Sequence, residues 1–297
     1  MMQHMWSTFV QTPEELDASR ALRFRPDNAA QWLNMMKLRD GQSILEIGCG
    51  SGLFTRRVKQ ALPACAITGL DRDEGHLTYA RTAAEKQGLS IAYVAGDALA
   101  LPFEDAAFDA VYAYTVSEHI ETFGFLREQL RVLKRGGTIA VLSVFPRLGI
   151  GHDMPWADDG EEQALMQKAR AGADDFDKRN GICAYPLTER ELPMALEQAG
   201  FERVSIDVLS VMRYAPDSAD VPDALAIAQI NEARLSLHAS VEKALAQTPD
   251  ALTPDETTRL HALIDARFDK RLALYQRGEK LWDIASSTVV AATGCKP

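Results

Sequence analysis

Residues 44–52, with the sequence ILEIGCGSG, constrain the fold more than any other part of the chain. A short apolar run containing Glu46 leads into three glycines at alternate positions, Gly48, Gly50 and Gly52. Glycine lacks a Cβ atom, so such a turn can bend sharply and bring backbone N–H groups against a ligand. The first N–H groups of a following helix would point at the same place. The segment therefore predicts a strand, a ligand-binding turn and a helix.

The spacing of these glycines differs from that of the dinucleotide-binding fingerprint. That fingerprint needs the pattern G-x-G-x-x-G, which would place its third glycine at position 53, where the chain has Leu53. The pattern present is Glu-x-Gly-x-Gly-x-Gly. The turn therefore predicts a nucleotide-type ligand other than a nicotinamide dinucleotide.

Strand-like and helix-like segments continue to alternate up to residue 145. The further strand-like runs lie at residues 66–71, 91–98, 107–114 and 138–143. The first ends at Asp71, and the second ends in Gly96, Asp97 and Ala98. Alternation of this kind predicts right-handed crossovers and a parallel sheet.

In order and spacing, these segments resemble the motifs of the class I S-adenosylmethionine-dependent methyltransferases. The run 101–105 (LPFED) and the turn 131–137 (RVLKRGG) are similar to the branch that includes the ubiquinone and menaquinone biosynthesis methyltransferases. The resemblance covers residues 40–145. It implies an α/β fold with a Rossmann-like, mostly parallel sheet of seven strands, the last antiparallel. It also implies S-adenosyl-L-methionine as cofactor and S-adenosyl-L-homocysteine as product.

The resemblance assigns the glycine turn to the methionine part of the cofactor. Gly48, Gly50 and Gly52, together with Cys49, are expected to approach it closely. Glu46 is expected to contact the cofactor's amino group, directly or through water, because a carboxylate suits an ammonium group. A solvated charge at the end of a strand is the alternative for Glu46.

The adenosine part of the cofactor is assigned in the same way. Asp71 is expected to accept both ribose hydroxyls, because the two oxygens of a carboxylate match a vicinal diol. Asp97 and the amide of Ala98 are expected to bind the adenine, and Arg72 and Thr115 complete the set. The alternatives are a helix N-cap for Asp71 and a turn-forming role for Asp97.

His119 is the candidate catalytic residue. It follows the fourth strand, at the sheet edge where open α/β sheets bind ligands. Imidazole titrates near neutral pH, so His119 is expected either to act as a general base or to orient its loop by hydrogen bonds. One related quinone-pathway branch has a metal-associated motif, and its register gives Thr115, Glu118 and His119 here. Its first ligand is missing, so no metal is predicted.

The charge of the chain argues against nucleic acid as a partner. Its net charge is −10, of which residues 146–297 contribute −8. Proteins that bind nucleic-acid backbones usually carry a basic surface. The start of the chain lacks the features of a signal peptide, and no run of 18 apolar residues is present, so no membrane span and a cytoplasmic location are expected.

The cysteines are consistent with that location. The chain has four cysteines, far apart and without a CxxC pair, and they are Cys49, Cys65, Cys183 and Cys295. We therefore expect reduced thiols rather than a disulfide framework or a zinc site.

Three regions are predicted along the chain. Residues 1–40 form a helical lead-in, and residues 41–214 with 282–297 form the cofactor-binding domain. Residues 215–281 form a helical insertion, expected to be a lid or a homodimer contact. Its helices, at 222–247 and 254–281, are expected to pack as an antiparallel hairpin. The apolar side of the first helix includes Leu225, and the second helix carries an apolar stripe of Leu260, Ile264, Phe268, Leu272 and Tyr275. Residues 146–180 are expected to be irregular and acidic, and a helix is expected from 187 to 200. In that region His152, Asp153 and Trp156 are either part of the acceptor pocket or of a surface loop.

The sequence thus favours a small-molecule methyltransferase, a transferase acting by in-line displacement. The alternatives are a nucleic-acid or protein methyltransferase and a non-catalytic assembly protein that binds the cofactor. The methyl acceptor, the atom that is methylated and the pathway do not follow from the sequence.

Overall fold

The computed structural model describes residues 6–150, 160–171 and 173–297. Seven strands form one sheet in the order β3-β2-β1-β4-β5-β7-β6. The strands are β1 (Ser43–Ile47), β2 (Ala66–Asp71), β3 (Ala92–Ala95), β4 (Phe108–Tyr114), β5 (Leu133–Val144), β6 (Glu202–Tyr214) and β7 (Ala285–Cys295). β1 to β5 pair in parallel, and β7 runs antiparallel to β5. The predicted α/β fold with an antiparallel last strand is confirmed.

Ten α-helices lie in the described ranges. They are α1 (Pro13–Ala21), α2 (Ala29–Met35), α3 (Leu53–Ala61), α4 (Glu74–Lys86), α5 (Thr122–Val132), α6 (Gly160–Arg170), α7 (Ala173–Arg179), α8 (Glu191–Gln198), α9 (Asp223–Gln247) and α10 (Pro254–Gln276). A π-helical turn occupies Trp6–Val10, and short 3₁₀ turns occupy Pro26–Asn28, Ser117–His119 and Pro146–Leu148.

The central strands are apolar because helices cover both faces of a parallel sheet. Residues of β4 alternate between two core clusters: Ala110, Tyr112 and Tyr114 belong to one, and Val111 and Ala113 to the other. This period of two is the geometry of a strand, in which successive side chains point to opposite faces. Because β1 pairs in parallel with both β2 and β4, the carboxyl ends of these three strands lie side by side at one edge of the sheet.

The chain divides into two compact units. The first comprises Met1–Pro146, Gly181–Val211 and Thr288–Pro297, and the second comprises Arg147–Asn180 and Met212–Ser287. The second unit has its own apolar core, to which α6, α9 and α10 contribute.

Helices α9 and α10 form the predicted antiparallel hairpin in the second unit. Arg234 pairs with Asp269, and Glu242 pairs with His261, so residue numbers rise along one helix as they fall along the other. The predicted stripe of α10 is buried at Leu260, Ile264 and Phe268. On α9 the expectation fails at Leu225, which is 49% exposed.

Three of the sequence-based boundaries are wrong. The region 146–180 contains α6 and α7, because its acidic residues stand at a helix N-terminus, where they offset the helix dipole. The helix expected from 187 begins at Glu191, and α10 ends at Gln276 rather than at 281. Gly278 follows with φ of +76°, a conformation typical of the residue that ends a helix. His152, Asp153 and Trp156 lie outside the described residues.

Candidate cofactor and acceptor site

A cavity of about 600 Å³ opens at the carboxyl ends of β1, β2 and β4. Its walls come from the glycine turn, the ends of β2, β4 and β5, the N-terminal residues 6–23 and the segment 182–185. All of these residues belong to the first unit. Ligand cavities of several hundred Å³ at this edge are the common binding sites of open α/β sheets.

The glycine turn forms the floor of the cavity. Gly48 and Gly50 both line it and both have positive φ, +66° and +53°. A Cβ atom on Gly48 would collide with the side chain of Val116, so no other residue fits there without movement. Gly52 also has positive φ and caps α3, but it does not line the cavity. The turn therefore brings bare backbone to the cavity at two of its three glycines.

Asp71, the last residue of β2, lines the cavity beside this turn. Its carboxylate accepts the backbone N–H of Gly50 at 2.7 Å and that of Asp73 at 2.9 Å. A carboxylate has about four lone-pair positions, so acceptor capacity remains for a ligand. The helix N-cap considered from the sequence is instead Asp73, which accepts from the first N–H groups of α4.

Asp97 and Ala98 line the cavity beyond β3. Asp97 also accepts the backbone N–H of Leu99 at 2.9 Å, so it forms the turn that the alternative interpretation expected. Arg72 lies at the same side, with its guanidinium carbon 5.6 Å from the centre of the Trp6 ring. Asp71, Arg72, Asp97 and Ala98, which the sequence assigned to the adenosine part of the cofactor, thus line the same cavity.

Glu46 and Cys49 lie under the cavity and do not line it. Glu46 is 1% exposed, so it is not a solvated charge at the end of a strand. Its carboxylate accepts hydrogen bonds from the hydroxyls of Thr55 and Tyr112. Burial raises the pKa of Glu46 from 4.5 to about 7. Burial also raises the pKa of the Cys49 thiol well above its usual value.

Thr115 follows β4 and lines the cavity in a strained conformation. Its φ is +53°, which is rare for a β-branched residue. Its hydroxyl accepts a hydrogen bond from the guanidinium of Arg20 at 3.3 Å. Residues held in such backbone conformations tend to occur at ligand-binding sites.

His119 also lines the cavity, and its hydrogen bonding defines its protonation. Nδ1 accepts the backbone N–H of Cys183 at 2.9 Å. A backbone N–H can only donate, so the ring proton of neutral His119 is on Nε2. Burial, and then the positive charge of Arg72, lower the pKa of His119 from 6.5 to about 4. At neutral pH His119 is therefore a neutral ring that presents an N–H donor.

The sequence interpretation missed the N-terminal contribution to this site. Trp6, Leu16 and Arg20 line the cavity, although residues 1–40 were expected to be only a lead-in. Leu16 and Arg20 are both buried, and they stand four residues apart on one face of α1. A charged residue on the buried stripe of a helix is the signal that could have identified Arg20.

Among the described residues, no group of three or more histidine, cysteine, aspartate or glutamate side chains is arranged to hold a metal ion. Over the same ranges, no helix combines the length and apolar character that a membrane crossing requires.

Strand order, glycine turn and strand-end carboxylates are together those of a class I methyltransferase fold. Residues 45–141 match the family described as the methyltransferase domain. The chain thus carries a class I S-adenosylmethionine-dependent methyltransferase domain, as the sequence motifs predicted.

Curated relatives share this part of the chain. A sterol 24-C-methyltransferase of Gibberella zeae is 31% identical over 192 residues, covering 63% of this chain and 44% of the relative. A phthiotriol/phenolphthiotriol dimycocerosates methyltransferase of Mycobacterium leprae is 30% identical, covering 59% of this chain and 64% of the relative. A demethylmenaquinone methyltransferase of Thermus thermophilus is 38% identical, covering 35% and 47%. The chain thus matches less than two thirds of the length of each.

Solved structures agree on the fold. Phosphoethanolamine N-methyltransferase 2 of Haemonchus contortus, in complex with S-adenosyl-L-methionine, superposes with a TM-score of 0.52 at 16% identity, covering 100% of this chain and 60% of that one. A methyltransferase of Bacillus halodurans gives 0.51 at 16% identity, covering 91% and 99%. At these identities the likeness concerns the fold alone.

Proposed function

We propose that the protein transfers a methyl group from S-adenosylmethionine to a small lipophilic acceptor. The observation that carries this proposal is one cavity with a glycine floor, carboxylates at the ends of β2 and β3, and an apolar wall on the other side. The strand order β3-β2-β1-β4-β5 separates the carboxylate end of the cavity from its apolar end. Asp97 follows β3 at one side of this order, and Val144 ends β5 at the other. Val144, Ile182 and Tyr185 line the cavity away from the carboxylates.

The residues present fit this cofactor. Two glycines leave space where a side chain would stand, and Asp71 keeps acceptor capacity for a diol. A buried cation, Arg20, faces the same cavity. When bound, S-adenosylmethionine would supply an activated methyl group.

The protein's part in the reaction is positioning. The apolar wall would hold the acceptor with its nucleophilic atom in line with the methyl group and would exclude water. Such alignment can be worth ~7–11 kcal/mol of the barrier. The names of the relatives refer to a sterol, a phthiotriol dimycocerosate and a demethylmenaquinone, which supports an apolar acceptor here.

We assign His119 a hydrogen-bonding role rather than that of a general base. Its Nδ1 lone pair is engaged by Cys183, and its Nε2–H is the group available toward the cavity. The N–H can orient an oxygen of the acceptor, and the Cys183 contact fixes residues 181–185 beside it. The orienting role considered from the sequence therefore has a hydrogen bond to support it.

For the second unit, we propose that it governs which acceptor is used and is not required for cofactor binding. All residues that line the cavity belong to the first unit, which supports the second half of this proposal. We also propose that α9 forms a homodimer contact. Its exposed apolar side chains Leu225 and Leu235 support this, because a second copy of the chain would bury them.

The experiment is a labelled-methyl assay on fractionated cell extract. Purified protein is incubated with S-adenosylmethionine carrying a tritiated methyl group, together with lipid, polar-metabolite, RNA or protein fractions. We expect label to enter the lipid fraction, and to do so at least tenfold more slowly with Asp71→Ala when the cofactor is below saturation. Label in the RNA or protein fraction, or in none, would contradict the proposal.

A further inference from the structure

The chain has three buried arginines among its described residues, and two of them are neutralised. Arg56 is 2% exposed, and its guanidinium pairs with both carboxylate oxygens of Asp17. Arg271 is 0% exposed and pairs with Asp217 and Asp283. Both therefore follow the rule that a buried charge has an opposite charge beside it.

Arg20 is the exception. It is 8% exposed, and its guanidinium forms no ion pair with any described residue. One N–H group donates to the Thr115 hydroxyl at 3.3 Å, and the guanidinium carbon lies 5.2 Å from the centre of the Tyr114 ring. A guanidinium has five N–H donors. Most of this donor capacity is left unused, and Arg20 is the buried arginine that lines the cavity.

The nearest carboxylates do not take up this charge. Glu46 and Asp71 act on Arg20 only through space, and burial lowers the pKa of Arg20 despite them. Glu46 is held by Thr55 and Tyr112, and Asp71 is held by two backbone N–H groups. A direct ion pair with Arg20 is therefore left for a ligand that enters the cavity.

The position of Arg20 along the cavity identifies which end of the ligand carries that charge. Across the sheet, the order β3-β2-β1-β4 places Asp97, Asp71, the glycine turn and Thr115 in sequence. With adenine at Asp97 and ribose at Asp71, the amino-acid end of the cofactor lies at the glycine turn and Thr115. Arg20 contacts Thr115 at this end.

We propose that Arg20 is a carboxylate-binding residue, which pairs with the carboxylate of the methionine moiety of the cofactor. A planar guanidinium and a carboxylate match each other in a two-point, charge-assisted contact. This inference rests on the proposed function. It adds an anion subsite contributed by α1, a helix outside the matched residues 45–141.

The test pairs a change in the protein with a change in the ligand. The ligands are S-adenosylhomocysteine and 5′-deoxy-5′-(3-aminopropylthio)adenosine, which is the same molecule without its carboxylate. The variants are Arg20→Met, which keeps length without charge, and Arg20→Lys, with Arg127→Met as the exposed control. Isothermal titration calorimetry measures the affinity of each pair.

We expect the wild type to bind the aminopropyl compound about 10- to 100-fold more weakly than S-adenosylhomocysteine, because a charge-assisted contact is lost. Arg20→Met should lose about the same factor for S-adenosylhomocysteine and bind the aminopropyl compound as the wild type does. Arg20→Lys should recover part of the loss, and Arg127→Met should match the wild type.

A second readout separates binding from a structural role. Without ligand, Arg20→Met removes an unpaired buried charge, so its unfolding temperature should equal or exceed that of the wild type. A lower unfolding temperature with equal weakening for both ligands would overturn the inference. Equal wild-type affinity for the two ligands would overturn it as well, while leaving the cofactor proposal intact. Absence of binding to either compound would instead refute the proposed function and, with it, this inference.

Discussion

The buried carboxyl group of Glu46 makes a prediction that needs no substrate. Burial raises its pKa from 4.5 to about 7, so the folded protein binds a proton that the unfolded chain has released between these pH values. Stability from this group is therefore fully present below pH 4.5 and is lost as the pH rises through 7. The shift in pKa corresponds to about 3 kcal/mol of unfolding free energy.

Glu46→Gln is the variant that isolates this effect. Glutamine resembles the protonated carboxyl group, and its carbonyl oxygen can still accept the Thr55 and Tyr112 hydroxyls. The unfolding free energy of the variant minus that of the wild type should therefore rise by about 3 kcal/mol from pH 4.5 to pH 8.5. The variant is thus favoured over the wild type at alkaline pH. Urea unfolding of ligand-free protein, followed by circular dichroism at a series of pH values, measures the difference.

The control is Glu85→Gln, since Glu85 is an exposed residue of α4. Its difference from the wild type should not change with pH. A Glu46→Gln difference that is equally flat would show that Glu46 is not buried with a raised pKa. A difference that grows toward acid pH would refute the sign of the argument.

Two further predictions concern the cavity. Gly48→Ala should abolish binding of S-adenosylhomocysteine in calorimetry, because the added Cβ collides with Val116 and φ is +66° there; binding within threefold of the wild type would contradict this. His119→Gln keeps an acceptor for Cys183 and an N–H donor for the cavity, so turnover in steady-state assays should fall by less than about tenfold, and the wild-type rate should show no inflection near pH 6.5. A loss on the order of 10²–10⁴, the size expected for a general base, would restore that role.

The sequence predicted the glycine turn and the strand ends because both depend on local patterns. Glycine at positions 48 and 50 permits the positive φ angles that the turn requires. Apolar runs of five to seven residues predict the strands. Asp71 and Asp97 follow such runs, so the parallel order of β2 and β3 brings them to one wall. These parts of the site need no knowledge of distant contacts.

Other parts of the site depend on distant contacts and could not be derived in this way. Arg20 meets Thr115 across 95 positions in the sequence, and the Nδ1 atom of His119 meets Cys183 across 64. Glu46 likewise accepts the hydroxyl of Tyr112 across 66 positions. The helices between residues 160 and 179 were missed because an acidic run indicates both a loop and a helix N-terminus.

The most direct test of the central claim is a calorimetric titration of S-adenosylhomocysteine into the wild type and into Asp71→Ala. The account predicts one site in the wild type and an affinity at least tenfold lower in the variant, with the fold unchanged by circular dichroism, because the ribose loses a charge-assisted contact of roughly 1.5–3 kcal/mol. Asp250→Ala, which removes an exposed carboxylate from the second unit, should bind as the wild type does. Equal affinity in wild type and Asp71→Ala would contradict the assignment of the cavity, and so would the absence of binding to the wild type.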